Sequence, residues 1–241
     1  MSPTAPVRQE EIIQMFSTVL KTRASLQLHN IFRGVPVNFP ALVTQIDHDS
    51  VVLKVHCLQS VVISVENRTY IKSEYLPVFI RALPKTITFS NQEVVLTHFS
   101  AAAQAFVERT HMRVQFVEPI HVGFLSGDGL ITGTLADISE SSPGVIMLGA
   151  YISAQILVDP DVRSRIGLDF SLPGTDQKIH LVGTITSVDH KKGAAVTRIG
   201  IQTTPNPVTE TALLKYIDRR QVEILDELQR IYERTCPSKR A

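Results

Sequence analysis

Hydrophobic positions change period three times along this chain. Ile12, Ile13, Phe16, Val19 and Leu20 recur at spacings of three and four, with Met15 at the edge, and predict a helix beginning near Arg8. Glu10 and Glu11 in its first turn suit the positive helix end. From residue 24 to residue 99 the period shortens. Residues 26–31, 35–46, 51–55, 61–65, 69–71, 78–83, 86–89 and 94–99 read as short strands. Asp47-His48-Asp49-Ser50, Asn67-Arg68 and Asn91-Gln92 supply turns between them, and Pro36, Pro40, Pro77 and Pro84 then fall at strand ends or edges. Residues 100–108, with four alanines, predict a connector and a domain boundary. A second strand series follows at 113–117, 120–125, 130–136, 144–149, 151–157, 165–171, 178–189 and 196–203, with Gly127-Asp128-Gly129 as a turn and a bulge expected near Gly149. Pro205 and Pro207 end the series. A helix then runs from Thr209 to about Arg234, with a seam of Leu214, Ile217, Gln221, Ile224, Leu228 and Ile231.

The pattern predicts a mainly β protein: two small antiparallel β-barrel domains in tandem, residues 1–104 and 105–241, with an N-terminal and a C-terminal helix. The C-terminal seam either covers the second barrel or joins two protomers into a homodimer, and the sequence leaves both open.

Composition narrows the function. Among 241 residues, 44% are hydrophobic and 20% charged, which supports packed cores rather than disorder. Twenty-four basic and 23 acidic side chains leave a net charge of +1, against the basic surplus of a general nucleic-acid binder. A local arginine patch for a small anion remains compatible with that balance. Cys57 and Cys236 stand in no metal-binding spacing. The start, MSPTAPVRQEEII, lacks the pattern of a signal peptide, and no run approaches the about 20 apolar residues of a membrane span. The expectation is a cytoplasmic chain with free thiols.

Catalytic motifs are not found. The histidines are scattered, Gly123-Phe124-Leu125-Ser126-Gly127 misses the spacing of a nucleophile elbow, and no phosphate-binding glycine loop is present. The chemistry concentrates in residues 105–145. Arg109 and Arg113 stand four apart before a strand, and Asp137, Ser139 and Gly144 cluster in an expected polar turn one hairpin later. Arg230 and Arg234 repeat the arginine spacing on a solvated helix face, so spacing alone says little. Context says more. An arginine fork can meet guanine O6 and N7, stack on a flat base, or pair with phosphate. A carboxylate such as Asp137 can accept from guanine N1–H and N2–H, and the Ser139 hydroxyl adds a further donor or acceptor.

RTHMR at 109–113, strand-like VQF after it, and DISESSPG at 137–144 resemble the PilZ domain, which pairs R-x-x-x-R with [D/N]-x-S-x-x-G. LPGTDQKIHLVGTITSV at 172–188 and TRIGIQ at 197–202 extend the likeness. The layout of a β-rich domain before that barrel is similar to YcgR-type flagellar brake proteins. The resemblance implies a non-catalytic receptor for cyclic di-GMP, with no cofactor or metal, acting in second-messenger control of motility and biofilm through a protein partner such as the flagellar motor or basal body. It implies Arg109 and Arg113 as base-stacking and phosphate-binding groups and Asp137 and Ser139 as guanine readers. The motif's glycine position holds Ser142, and Gly144 follows two residues later, so either fills the small-residue role. The competing expectation is an adaptor that keeps the barrel for its shape and binds protein without nucleotide.

Overall fold

A computed structural model describes residues 8–102, 113–126, 129–142, 144–153, 165–175, 177–190 and 194–236. The chain divides into two compact units: residues 1–110 together with 224–241, and residues 111–223. Each contains one closed six-stranded antiparallel barrel.

The first unit opens with α1 (Gln9–Thr22), in which the Glu11 carboxylate accepts from the Arg8 backbone N–H and Arg23 ends the helix in the left-handed region at φ 53°. Its apolar stripe buries Ile12, Phe16 and Val19. The strands are β1 (Ser25–Phe32), β2 (Val35–Ile46), β3 (Val51–Lys54), β4 (Thr69–Lys72), β5 (Phe79–Thr88) and β6 (Glu93–Ala102), ordered β1-β2-β3-β6-β5-β4 around the barrel. The α1 side chains join Leu26, Leu28, Leu53, Ile71, Ile80 and Leu96 in one buried cluster, so the helix belongs to this core. The segment 61–65, expected as a strand from its β-branched run, is instead part of helix α2 (Cys57–Glu66). His56 caps that helix, its Nδ1 accepting from Leu58 N–H at 3.3 Å, and Asn67 ends it at φ 51°. Gln59 through Ile63 are all buried, so tertiary burial overrides the strand propensity.

The second unit holds β7 (Val114–Ser126), β8 (Gly129–Ser142), β9 (Val145–Ser153), β10 (Arg165–Ser171), β11 (Lys178–Asp189) and β12 (Val196–Thr203), ordered β10-β11-β12-β9-β8-β7. Counted from its own first strand, this is the strand order of the first barrel. Segments 113–117 and 120–125, expected as separate strands, form the single strand β7, with a register irregularity between Gln115 and Ile120 that accommodates Pro119. Likewise β9 runs unbroken through Gly149.

Helix α3 (Pro207–Thr235) follows, its first N–H groups capped by the Asn206 side chain, which accepts from Val208 and Thr209. Its buried positions are Leu213, Tyr216, Ile217, Arg220, Ile224 and Leu228. The expected seam is therefore rotated: Leu214, Gln221 and Ile231 are only half-buried. Within the second unit, Tyr216 packs on Phe116 of β7 with ring centroids 5.4 Å apart, and Arg219 donates to the Pro173 carbonyl at 2.8 Å. Within the first, Glu227 pairs with Arg33 at 2.8 Å.

Candidate functional site

The site is built by register. In the second barrel, Ser187 pairs with Gly200, Gly200 with Gly149, Gly149 with Asp137, and Asp137 with Gln115. These residues form one continuous row across β11, β12, β9, β8 and β7. Two bulges place its polar members. The register of β8 on β9 shifts between Leu135 and Asp137, leaving Ala136 as the extra residue. Leu135 and Ile138 are both fully buried although three residues apart, which an unbroken strand of period two cannot achieve. The bulge thus turns Asp137 out of the barrel interior while Ile138 re-enters it. A matching shift between Ile185 and Ser187 does the same for Ser187. Asp137 and Ser139 accordingly lie in strand β8, not in the polar turn expected from their composition.

Glycine clears the middle of the row. A Cβ at Gly149 would stand 2.6 Å from Oδ1 of Asp137, and one at Gly200 would collide with Oγ of Ser187. Neighbouring polar side chains lean over both glycines. Asp137 is 8% exposed, and its Oδ2 accepts from an Arg198 guanidinium nitrogen at 2.5 Å. Arg198 is one third exposed and pairs in register with Asp189 on β11 and Tyr151 on β9. Its Nε is buried with no hydrogen-bond partner among the described residues. A shallow cleft of about 60 Å³ opens here, lined by Arg113, Gly149, Ser187, Asp189, Arg198 and Gly200.

Arg113 stands one residue before β7, whose first pairs are Val114 with Ile138 and Gln115 with Asp137. The long β7–β8 hairpin therefore closes the sequence gap between Arg113 and Asp137. The strand start is fastened from α3, where buried Arg220 donates through Nε to the Gln115 carbonyl at 2.9 Å and pairs with Glu223 at 3.0 Å.

The other expected site residues fall as follows. Ser139 is buried at 1% exposure, opposite Met147. Ser142 is exposed at the end of β8. Gly144 turns the β8–β9 connection at φ 77°, and its N–H donates to the Glu210 carboxylate at 2.9 Å. Its left-handed conformation favours glycine there. It is thus a turn residue, and the glycine standing across from Asp137 is Gly149. Arg109 lies outside the described residues, as does His111 between the arginines. Arg198, Gly149, Gly200 and Ser187 were not among the residues expected from sequence. Each is a single residue inside a strand, and only pairing brings them together.

The arrangement offers a carboxylate and a guanidinium paired across the glycine row, which has room for them because it lacks side chains of its own, and a second arginine, Arg113, lining the same cleft as Arg198. A planar group could stack on the partly exposed Arg198 guanidinium while anionic oxygens meet Arg113. No group of three or more His, Cys, Asp or Glu among the described residues is placed to hold a metal ion. No described helix is long and apolar enough to cross a membrane.

No family model and no curated protein matches the chain. Among solved structures, it is similar to the K. pneumonia MrkH–c-di-GMP complex at a TM-score of 0.39 and 12% identity, covering 92% of this chain and 96% of that one. Bacillus subtilis inhibitor of motility, MotI/DgrA, is similar at a TM-score of 0.40 and 11% identity, over 83% of this chain and 96% of that one. K. pneumonia MrkH in its apo state is similar at 0.36 and 13%, over 92% and 96%.

Proposed function

We propose that the chain is a non-catalytic receptor for cyclic di-GMP, with the nucleotide seated on the outer face of the second barrel. The observation that supports this reading is the row itself: Asp137 is turned outward by a bulge, over Gly149, and is paired with Arg198, which lines one cleft with Arg113. The motif resemblance in residues 109–144 supplies the ligand class; the row supplies a surface of matching chemistry. In this reading Asp137 accepts from the guanine edge, Arg113 and Arg109 grip phosphate and stack on base, and Ser139, Ser142 and Gly144 shape the β8–β9 end of the site. In this reading the two domains divide near residue 104.

The output is a protein partner, with the flagellar motor the leading one by resemblance. Ligand contacts to the arginine-bearing connector favour one arrangement of the domains over others, which shifts their population. A soluble receptor acting in the cytoplasm is the setting that this reading requires.

Calorimetric titration of the full chain with cyclic di-GMP tests it. The wild type is expected to give saturable heat, and Arg113→Ala to weaken binding by about tenfold or more, the scale of a charge-assisted phosphate contact. Equal heats from the two proteins overturn the site. Absence of heat from the wild type favours the adaptor reading.

A further inference from the structure

Among the ion pairs of the described residues, Arg220–Glu223 buries its arginine, and Asp137–Arg198 buries its carboxylate. Arg33–Glu227, Lys85–Asp49 and Arg219–Glu223 hold side chains at least a quarter exposed on both sides. The Asp137 side chain is only 12% exposed, and Arg198 comes to it from the strand beyond Gly149. The pair therefore spans the glycine shelf. One carboxylate oxygen, Oδ2, is taken by Arg198, and Oδ1 hangs over Gly149. A buried carboxylate fixed at one oxygen has one rotamer and one direction of acceptance.

We infer that Arg198 is the residue that positions Asp137 for base recognition and that it sets the preference for guanine over adenine. This rests on the nucleotide reading above. Guanine presents N–H donors where adenine presents an acceptor at N1, so a carboxylate held in a fixed direction favours guanine and repels adenine's ring nitrogen. Free to rotate, the same carboxylate can meet the adenine amino group and loses the distinction. Arg198 therefore acts on selectivity through Asp137, whereas Arg113, facing phosphate, acts on both ligands alike.

The test is a double-mutant cycle on the full chain with two probes, cyclic di-GMP and cyclic di-AMP. Calorimetry is run on the wild type, Arg198→Met, Asp137→Asn and the double variant, with melting curves on each. Arg198→Met is expected to lower cyclic di-GMP affinity about tenfold and to narrow the ratio between the ligands by a similar factor. In the Asp137→Asn background, Arg198→Met is expected to add little, because its route is already cut. Additive losses, or an unchanged ligand ratio in a folded Arg198→Met, overturn the inference while leaving the receptor reading intact. If Arg198→Met does not fold, Arg198→Lys is used in its place: it keeps the charge but loses the planar fork, and is expected to narrow the ratio less. An unchanged ratio in folded Arg198→Lys and in the lysine cycle also overturns the inference. Absence of cyclic di-GMP binding by the wild type overturns the receptor reading and the inference together.

Discussion

The two barrels share a strand order and two corresponding bulges, yet carry different residues on the row that those bulges set. In the first, β2 on β3 shifts between Val43 and Gln45, and β5 on β6 shifts between Pro84 and Thr86. The resulting row is Thr86, Val95, Val52 and Gln45. In the second, the corresponding row is Ser187, Gly200, Gly149 and Asp137. Where one barrel carries two valines, the other carries two glycines, and where one carries a neutral glutamine, the other carries a carboxylate paired with arginine. The Gln45 amide simply donates to Asp47 at 2.8 Å. Two valines fill their row; two glycines make room for the polar side chains of Asp137 and Ser187. One strand order thus supports a closed wall and a candidate binding surface that differ in a few outward side chains.

Buried polarity follows the same division. The first unit contains an internal cluster in which Asn30 donates to the Arg68 carbonyl at 2.7 Å and accepts from Gln59 and Thr69, both at 2.7 Å. Gln59 in turn accepts from Phe39 N–H at 3.2 Å. The members of that cluster satisfy one another, which makes it structural. The Asp137–Arg198 pair lies instead on the outer face, where Arg198 is one third exposed and lines a cleft with Arg113.

Replacing Gly149 with valine, the residue of the other barrel, is the most severe way to break this contrast. The added side chain meets the Asp137 carboxylate, and cyclic di-GMP affinity is expected to fall at least about a hundredfold, on the scale of overpacking at about 3 kcal/mol. Calorimetry checks the affinity, and a melting curve checks that the fold persists. Asn30→Ala removes the centre of the internal cluster and leaves buried groups unpaired. It is expected to cost about 2–3 kcal/mol in denaturant unfolding while leaving nucleotide affinity unchanged. The reciprocal Val52→Gly copies the open row into the first barrel. A loss of about 1 kcal/mol of stability and no new ligand site are expected, because the carboxylate and arginine are missing there. The smallest effect concerns His56, whose imidazole stacks on Phe39 with ring centroids 3.8 Å apart and is held below its ordinary pKa by burial. The unfolded chain then takes up the proton more readily than the folded one, so this group's contribution is present above the ordinary imidazole value and fades as pH falls below it. Between about pH 7.5 and about pH 5.5 the wild type is expected to lose slightly more melting temperature than His56→Asn.

The sequence carried the barrels well, because alternation along β1, β10, β11 and β12 is regular; Pro40 and Pro84, expected at strand ends or edges, lie instead within β2 and β5. It carried Asp137 through its neighbours in DISESSPG. It could not carry α2, whose Val61-Val62-Ile63-Ser64-Val65 run has the composition of a strand and becomes helical only because the barrel buries it. Nor could it carry the outward turn of Asp137, which depends on a one-residue bulge at Ala136. Gly149 and Gly200 lie 51 positions apart and meet only through the β9–β12 ladder, so no local pattern announces them. Arg198 becomes a site residue only when that ladder brings it beside Asp137.

The most direct test of the glycine row is a backbone amide NMR titration of the full chain with cyclic di-GMP. The account predicts saturable shifts at Gly149, Gly200, Asp137 and Arg198, with Val52 and Val95 unmoved. Shifts centred on the valine row, or silence at both glycines while the ligand binds, would contradict it.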